Sequence, residues 1–154
     1  MFSLIITIIA IALVAALALA AIYYGGTAFN KGSASAKATR LIAQGQQVAS
    51  AWQFFQVNKA IGTATGNVVD IHDLVTQKYL ISVPEAYEHG FIDKGLLRDG
   101  EFITLDVCNE LEKRAGRPGY QDNGDIPTSN VDGKDLPGKF GCYRGEGFGV
   151  YYKL

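Results

Sequence analysis

Phe2-Ser3-Leu4-Ile5-Ile6-Thr7-Ile8-Ile9-Ala10-Ile11-Ala12-Leu13-Val14-Ala15-Ala16-Leu17-Ala18-Leu19-Ala20-Ala21-Ile22 follows Met1, precedes Tyr23-Tyr24-Gly25-Gly26, and carries no charged side chain. The first charge in the chain is Lys31, and all 14 Lys and Arg and all 15 Asp and Glu lie from there onward. Water does not hold so apolar a run; it belongs in hydrocarbon or against other runs like itself. At about 1.5 Å per residue, the first 24 positions make a helix of about 36 Å, enough to cross the ~30 Å apolar layer of a bilayer. Tyr23 and Tyr24 stand where an interfacial aromatic belt belongs. A secretory signal peptide fits poorly, because it needs a positive region ahead of a shorter apolar stretch. The missing basic flank is explained if a charged leader once preceded Met1 and was removed.

Working outward, the chain has 154 residues and a net charge of −1, which gives no indication of a strongly basic nucleic-acid surface. Beyond the apolar block, about 125 residues remain, enough for one modest domain with its own core. The two cysteines, Cys108 and Cys142, follow the apolar segment. An even pair in that position suggests one disulfide in an oxidising compartment; the alternative is two unrelated buried thiols. Bridged, the pair closes a loop of about 35 residues, for which chain entropy gives roughly 4 kcal/mol.

After Gly32-Ser33-Ala34-Ser35-Ala36, apolar residues recur at steps of three and four: Ala38, Leu41 with Ile42, Gly45, Val48 with Ala49, Trp52, Phe55. That spacing predicts one buried stripe on an amphipathic helix reaching about Lys59, with Lys37, Arg40, Gln44, Gln47 and Asn58 on the other face. The organisation expected is a hydrophobic half-helix over 1–26, an amphipathic half over 27–60 and a globular head over 61–154. Gly25 and Gly26 mark the junction as a hinge where the helix could stretch or melt, since each costs about 1 kcal/mol relative to alanine.

In the head, 61–69 reads as a loop. Asp70 and Asp73 are placed to cap a short helix whose Ile71, Leu74 and Val75 face inward. Glu101 to Val107 reads as a strand or the start of a helix, and Cys108 to Ala115 as a helix closed by Gly116 and Pro118. Gly141 to Arg144 and Gly147 to Leu154 carry strand-type aromatics about a glycine-rich turn and predict a hairpin. The fold class expected is α+β: a long N-terminal spine helix packed on a small, mostly antiparallel sheet with one disulfide.

Candidate chemistry is sparse. Asp122, Asn123, Asp125 and Asp132 offer the hard oxygen ligands that calcium takes. No glutamate follows at EF-hand spacing, however, and the same residues are common turn formers, so a solvated turn is the favoured reading. His72 and His89, the only histidines, have no companion cysteine and read as surface residues. No phosphate-binding loop, nucleophile elbow or carboxylate pair stands out, and neither a catalytic residue nor a cofactor is expected.

The opening from Phe2 to Ile11, the apolar helix that turns amphipathic, the late pair Cys108 and Cys142, and Asp73-Leu74-Val75-Thr76-Gln77-Lys78-Tyr79-Leu80-Ile81-Ser82-Val83-Pro84 together resemble a type IV pilin. Met1 as first mature residue is closer to the type IVb subgroup. One departure is clear: most pilins carry glutamate as the fifth mature residue, and this chain has Ile5. Ser3, Thr7 and backbone carbonyls are then the only local groups to satisfy the terminal amine. The resemblance implies a non-enzymatic structural subunit, a major pilin, that polymerises with copies of itself into a helical filament at the bacterial cell surface. It also implies an inner-membrane monomer, a prepilin peptidase, a pilus assembly machinery and N-methylation at Met1. Phe2, Leu4, Ile5, Ile8, Ile9, Leu13, Ala16, Leu17 and Ala20 would form the filament core. The alternatives are a pseudopilin of a type II secretion system and a non-polymerising, single-pass anchored binding domain.

Overall fold

A computed structural model of the chain describes residues 2–64, 66–68, 70–93, 95–99, 103–120, 126, 136–144 and 148–154. The chain divides into two compact units, Met1–Ala34 and Ser35–Leu154. Helix α1, Phe2–Ala60, begins in the first and ends in the second. It runs through Gly25 and Gly26 without a break.

The second unit contains the rest of the fold. Helix α2 is Ile71–Thr76, and α3 is Leu105–Arg114. A single 3-10 turn covers Glu85–Tyr87. The strands are β1 (Phe91–Asp93), β2 (Leu96–Asp99), β3 (Phe140–Arg144) and β4 (Phe148–Lys153). Among the described residues they form one antiparallel sheet in the order β1-β2-β4-β3. The α+β architecture, with a long N-terminal helix, a small antiparallel sheet and a Cys108–Cys142 bridge, matches the sequence expectation.

The local signals act as their chemistry dictates. Asp70 accepts from the His72 backbone N–H at 3.2 Å while the Asp73 carboxylate accepts from the Asp70 N–H at 3.1 Å, a reciprocal cap that starts α2. Helix α3 ends before Gly116, whose φ of 71° turns the chain back at a cost only glycine avoids. Of the stretch Glu101 to Val107, Leu105 to Val107 open α3, as the helix-entry reading has it, and 101–102 lie outside the described residues. The pair β1–β2 was not expected from the sequence. Its turn includes Gly95 at φ 83°.

Both faces of the sheet are covered. Leu97, Val150 and Tyr152 share one face by their register, and Leu96, Tyr143 and Tyr151 share the other, where they cluster with Leu136. The stretch of α1 within this unit lies on the first face. Ala38, Leu41, Gly45, Val48, Ala49 and Phe55 are buried as the periodicity predicts. Gly45 is the close-approach point: a Cβ there would stand 2.5 Å from Tyr152 Cδ2 and 2.8 Å from Tyr152 Cγ. Replacing Gly45 by valine is therefore expected to lower stability by about 1–3 kcal/mol through overpacking, even though valine suits a helix better than glycine. The check is the denaturant midpoint, with the m-value held constant.

Gln44 departs from its expected outward position. Its Oε1 accepts the Ala86 backbone N–H at 2.8 Å and so ties α1 to the 3-10 turn, beside the Tyr87 hydroxyl that donates to Leu41 O at 3.3 Å. Asn58, also read as outward, is half-buried with its Nδ2 3.3 Å from the Tyr79 hydroxyl.

Candidate functional site: the exposed aliphatic helix

The aliphatic side chains of α1 from Leu4 to Ile22 have no cover. From Leu4 to Ile22 the large ones are between 54% and 75% exposed, and they occur on every side of the helix. A helix in a soluble core would hide one face; a helix apolar all round belongs in a lipid or protein environment. This segment is long and apolar enough to span a membrane, near the N-terminus. Of the residues expected to form a filament core, Leu4, Ile5, Ile8, Ile9, Leu13 and Leu17 lie here at 54% to 69% exposure. Ala16 and Ala20 are exposed between them. Met1 and the side chain of Phe2 lie outside the described residues. The Thr7 hydroxyl donates to Leu4 O at 2.8 Å, a back-bond that spends its proton inside the helix and leaves its lone pairs as acceptors.

The head is braced at two places among the described residues. Cys108 on α3 and Cys142 on β3 are fully buried, with Cα atoms 5.6 Å apart. Removing the bridge by Cys108→Ala with Cys142→Ala is expected to cost roughly 4 kcal/mol, in line with the loop it closes. Equilibrium unfolding in urea, with and without the substitutions, measures it.

One turn beyond Cys108, α3 places a second brace that sequence reasoning missed. Glu112 is 2% exposed and takes both donors of a fork from Arg117, Nε to Oε2 and Nη2 to Oε1 at 2.9 Å. Arg117 Nη2 also donates to Phe140 O at 2.6 Å, so the guanidinium ties the end of α3 to the start of β3. Gly141 leaves the necessary room: a Cβ there would stand 2.7 Å from the Tyr151 hydroxyl and 2.8 Å from both Arg117 Nη2 and Glu112 Oε1. The hydrogen bond that Arg117 donates to Glu112 holds the Arg117 pKa above its ordinary value. Burial pushes the Tyr151 hydroxyl up to about 12, and that hydroxyl donates to Pro137 O. Tyr120 is raised too, first by burial and then by the Glu112 carboxylate. Its hydroxyl is buried without a well-formed hydrogen bond. Arg117 is thereby held charged and the Tyr120 and Tyr151 hydroxyls neutral at neutral pH.

The remaining candidates separate. Asp122, Asn123, Asp125 and Asp132 lie outside the described residues. His72 is exposed with its Nδ1 3.1 Å from Asp70 Oδ1, and His89 is exposed elsewhere in the head. Among the described residues no group of three or more His, Cys, Asp or Glu is placed to hold a metal ion. Compared with known proteins, the chain matches no family model, no curated protein and no solved structure.

Proposed function

We propose that this chain is the structural subunit of an extracellular filament of the type IV pilus kind, built by burying its aliphatic N-terminal helix among copies of itself. The observation that carries the reading is the helix from Leu4 to Ile22, exposed on every side and joined in sequence to a compact, disulfide-bonded head. The Cys108–Cys142 bridge supports an oxidising compartment for the head, outside the bacterial cytoplasm. Before assembly the helix resides in the inner membrane, a solvent it suits by length and composition.

Assembly moves the helix from lipid into a bundle of identical helices. Apolar surface is exchanged for apolar surface, so the hydrophobic gain is small, and close packing must supply the affinity. Ala10, Ala12, Ala15, Ala16, Ala18, Ala20 and Ala21 let neighbouring helices approach, with the leucines and isoleucines filling the gaps between them. Contacts between unlike surfaces of successive copies do not close on themselves, and so generate a helical polymer.

Electron microscopy of material sheared from the producing cells tests the reading. Filaments that contain this chain, with an N-methylated first residue, are the expected result. Lone molecules that stay in the envelope would overturn it and leave a single-pass anchored domain.

A further inference from the structure

Strand β3 stands at one end of the sheet, paired with β4 alone among the described residues. The ladder fixes which backbone groups that pairing uses. Lys153 N donates to Lys139 O at 2.7 Å, and the register continues as Phe140↔Tyr152, Gly141↔Tyr151 and Cys142↔Val150. Hydrogen-bonded and non-hydrogen-bonded pairs alternate along an antiparallel ladder. Gly141 and Tyr143 therefore bond to β4, while the N–H and C=O of Phe140, Cys142 and Arg144 point away from it, to the outer edge of the sheet. Two of these three residues are tied to α3 and the turn that follows it. Cys142 is bridged to Cys108, and Phe140 O accepts from Arg117 Nη2 at 2.6 Å, with Glu112 holding the guanidinium. Cys142 is fully buried although it lies on an end strand.

We infer that α3 is the cover of a strand-pairing surface, and that β3, once uncovered, binds the β3 of a second copy of this chain. A bare outer edge is a template for another extended strand. The edge itself selects the occupant. Laid antiparallel on its own copy with Cys142 opposite Cys142, β3 sets Phe140 against Arg144 and Arg144 against Phe140. Every outward residue then meets an outward residue, as hydrogen-bonded pairs require, and Arg144 faces an aromatic ring instead of another cation. The surface is self-complementary, so one two-fold contact uses it up. The covalent tie at Cys142 and the hydrogen-bonded tie at Phe140 keep it closed. The bridge thus has a task besides stability, that of keeping neighbouring heads from joining through their sheets. This inference does not depend on the filament reading.

The test uses single-cysteine forms of the full chain in detergent. Cys108→Ala and Cys142→Ala lose the same bridge, and each keeps one thiol. In the Cys108→Ala dimer, paired β3 strands bring the two Cys142 Cα atoms to about 5.5 Å, within the roughly 4.4–6.8 Å that a disulfide spans. Diamide, an azo oxidant, takes up the two thiol protons and two electrons as the sulfur–sulfur bond forms. Non-reducing gels should show at least about 10-fold more covalent dimer from Cys108→Ala than from Cys142→Ala, because pairing raises the local thiol concentration. Adding Arg117→Ala, which removes the second tie, should raise the yield further. Adding Arg144→Pro, which takes one outward N–H out of the pairing register, should return it to the Cys142→Ala level. Equal yields from the two single-cysteine forms of a folded head overturn the inference, as does a Cys108→Ala dimer that Arg144→Pro leaves intact. If loss of the bridge unfolds the head, as Trp52 fluorescence reports, the wild type decides. Its Cys142 amide has no place in the β3–β4 ladder, yet under the α3 cover it should exchange with solvent at least about 10-fold slower than in an open chain. Exchange at the open-chain rate overturns the cover.

Discussion

Replacing Ala16 by glutamate is expected to abolish filaments while leaving a folded, disulfide-bonded head. Ala16 lies near the middle of the aliphatic run and is exposed on α1, between Leu13 and Leu17. An acidic side chain deep in a hydrocarbon layer costs about 3 kcal/mol on insertion scales, a cost the monomer can lessen by drawing water or tilting. In a bundle of identical helices those escapes close, and every copy adds another carboxylate near its neighbours. The larger side chain also removes one of the close-approach points on which helix association in an apolar medium relies. Ala16 belongs to the unit Met1–Ala34 and both cysteines to the other, so the Cys108–Cys142 bridge should form as before. Filament counts by electron microscopy, normalised to membrane-inserted subunit on non-reducing gels, decide the matter. Wild-type filament numbers from Ala16→Glu would count against helix burial as the driving contact.

The second large effect belongs to the head. Glu112→Ala should lower its stability by about 3–5 kcal/mol, the usual cost of removing one partner of a buried ion pair. Two hydrogen bonds from Arg117 are lost, and the guanidinium, tied to Phe140 O, stays behind without its counter-charge. Glu112→Gln should cost less, because an amide oxygen still accepts from one guanidinium nitrogen. Chemical denaturation of the full chain in detergent, followed by the fluorescence of Trp52, which packs 5.7 Å from Phe55, gives both values. If alanine and glutamine variants unfold together with wild type, the brace contributes nothing.

How much of this was legible in the sequence follows from how local each signal is. The helix from Phe2, its buried stripe from Ala38 to Phe55 and the Asp70–Asp73 cap are all written within a few turns of chain, so periodicity and capping chemistry sufficed. The last hairpin was readable from its aromatics about a glycine-rich turn. Strands β1 and β2 were not readable. They are three and four residues long and include Asp93, Arg98 and Asp99, so no alternating pattern develops. Leu97 becomes a core residue only by pairing with Tyr152, far along the chain. The Glu112–Arg117 brace was hidden for a different reason. Glu110-Leu111-Glu112-Lys113-Arg114 looks like a solvated helical face, and only the reversal at Gly116 brings Arg117 back onto Glu112. Gln44 misled in the opposite direction, since a polar side chain at the edge of the stripe is indistinguishable from an outward one until its Ala86 partner is in place.

The strand order β1-β2-β4-β3 sets a schedule for biosynthesis. The strand that emerges last from the ribosome occupies the middle, and it is the one to which β2 and β3 both bond. The apolar helix is complete while the head is still an open chain with two unpaired strand edges. Translation broken off before Phe148 leaves those edges without their shared neighbour, and the product is a sticky polypeptide for proteases to clear.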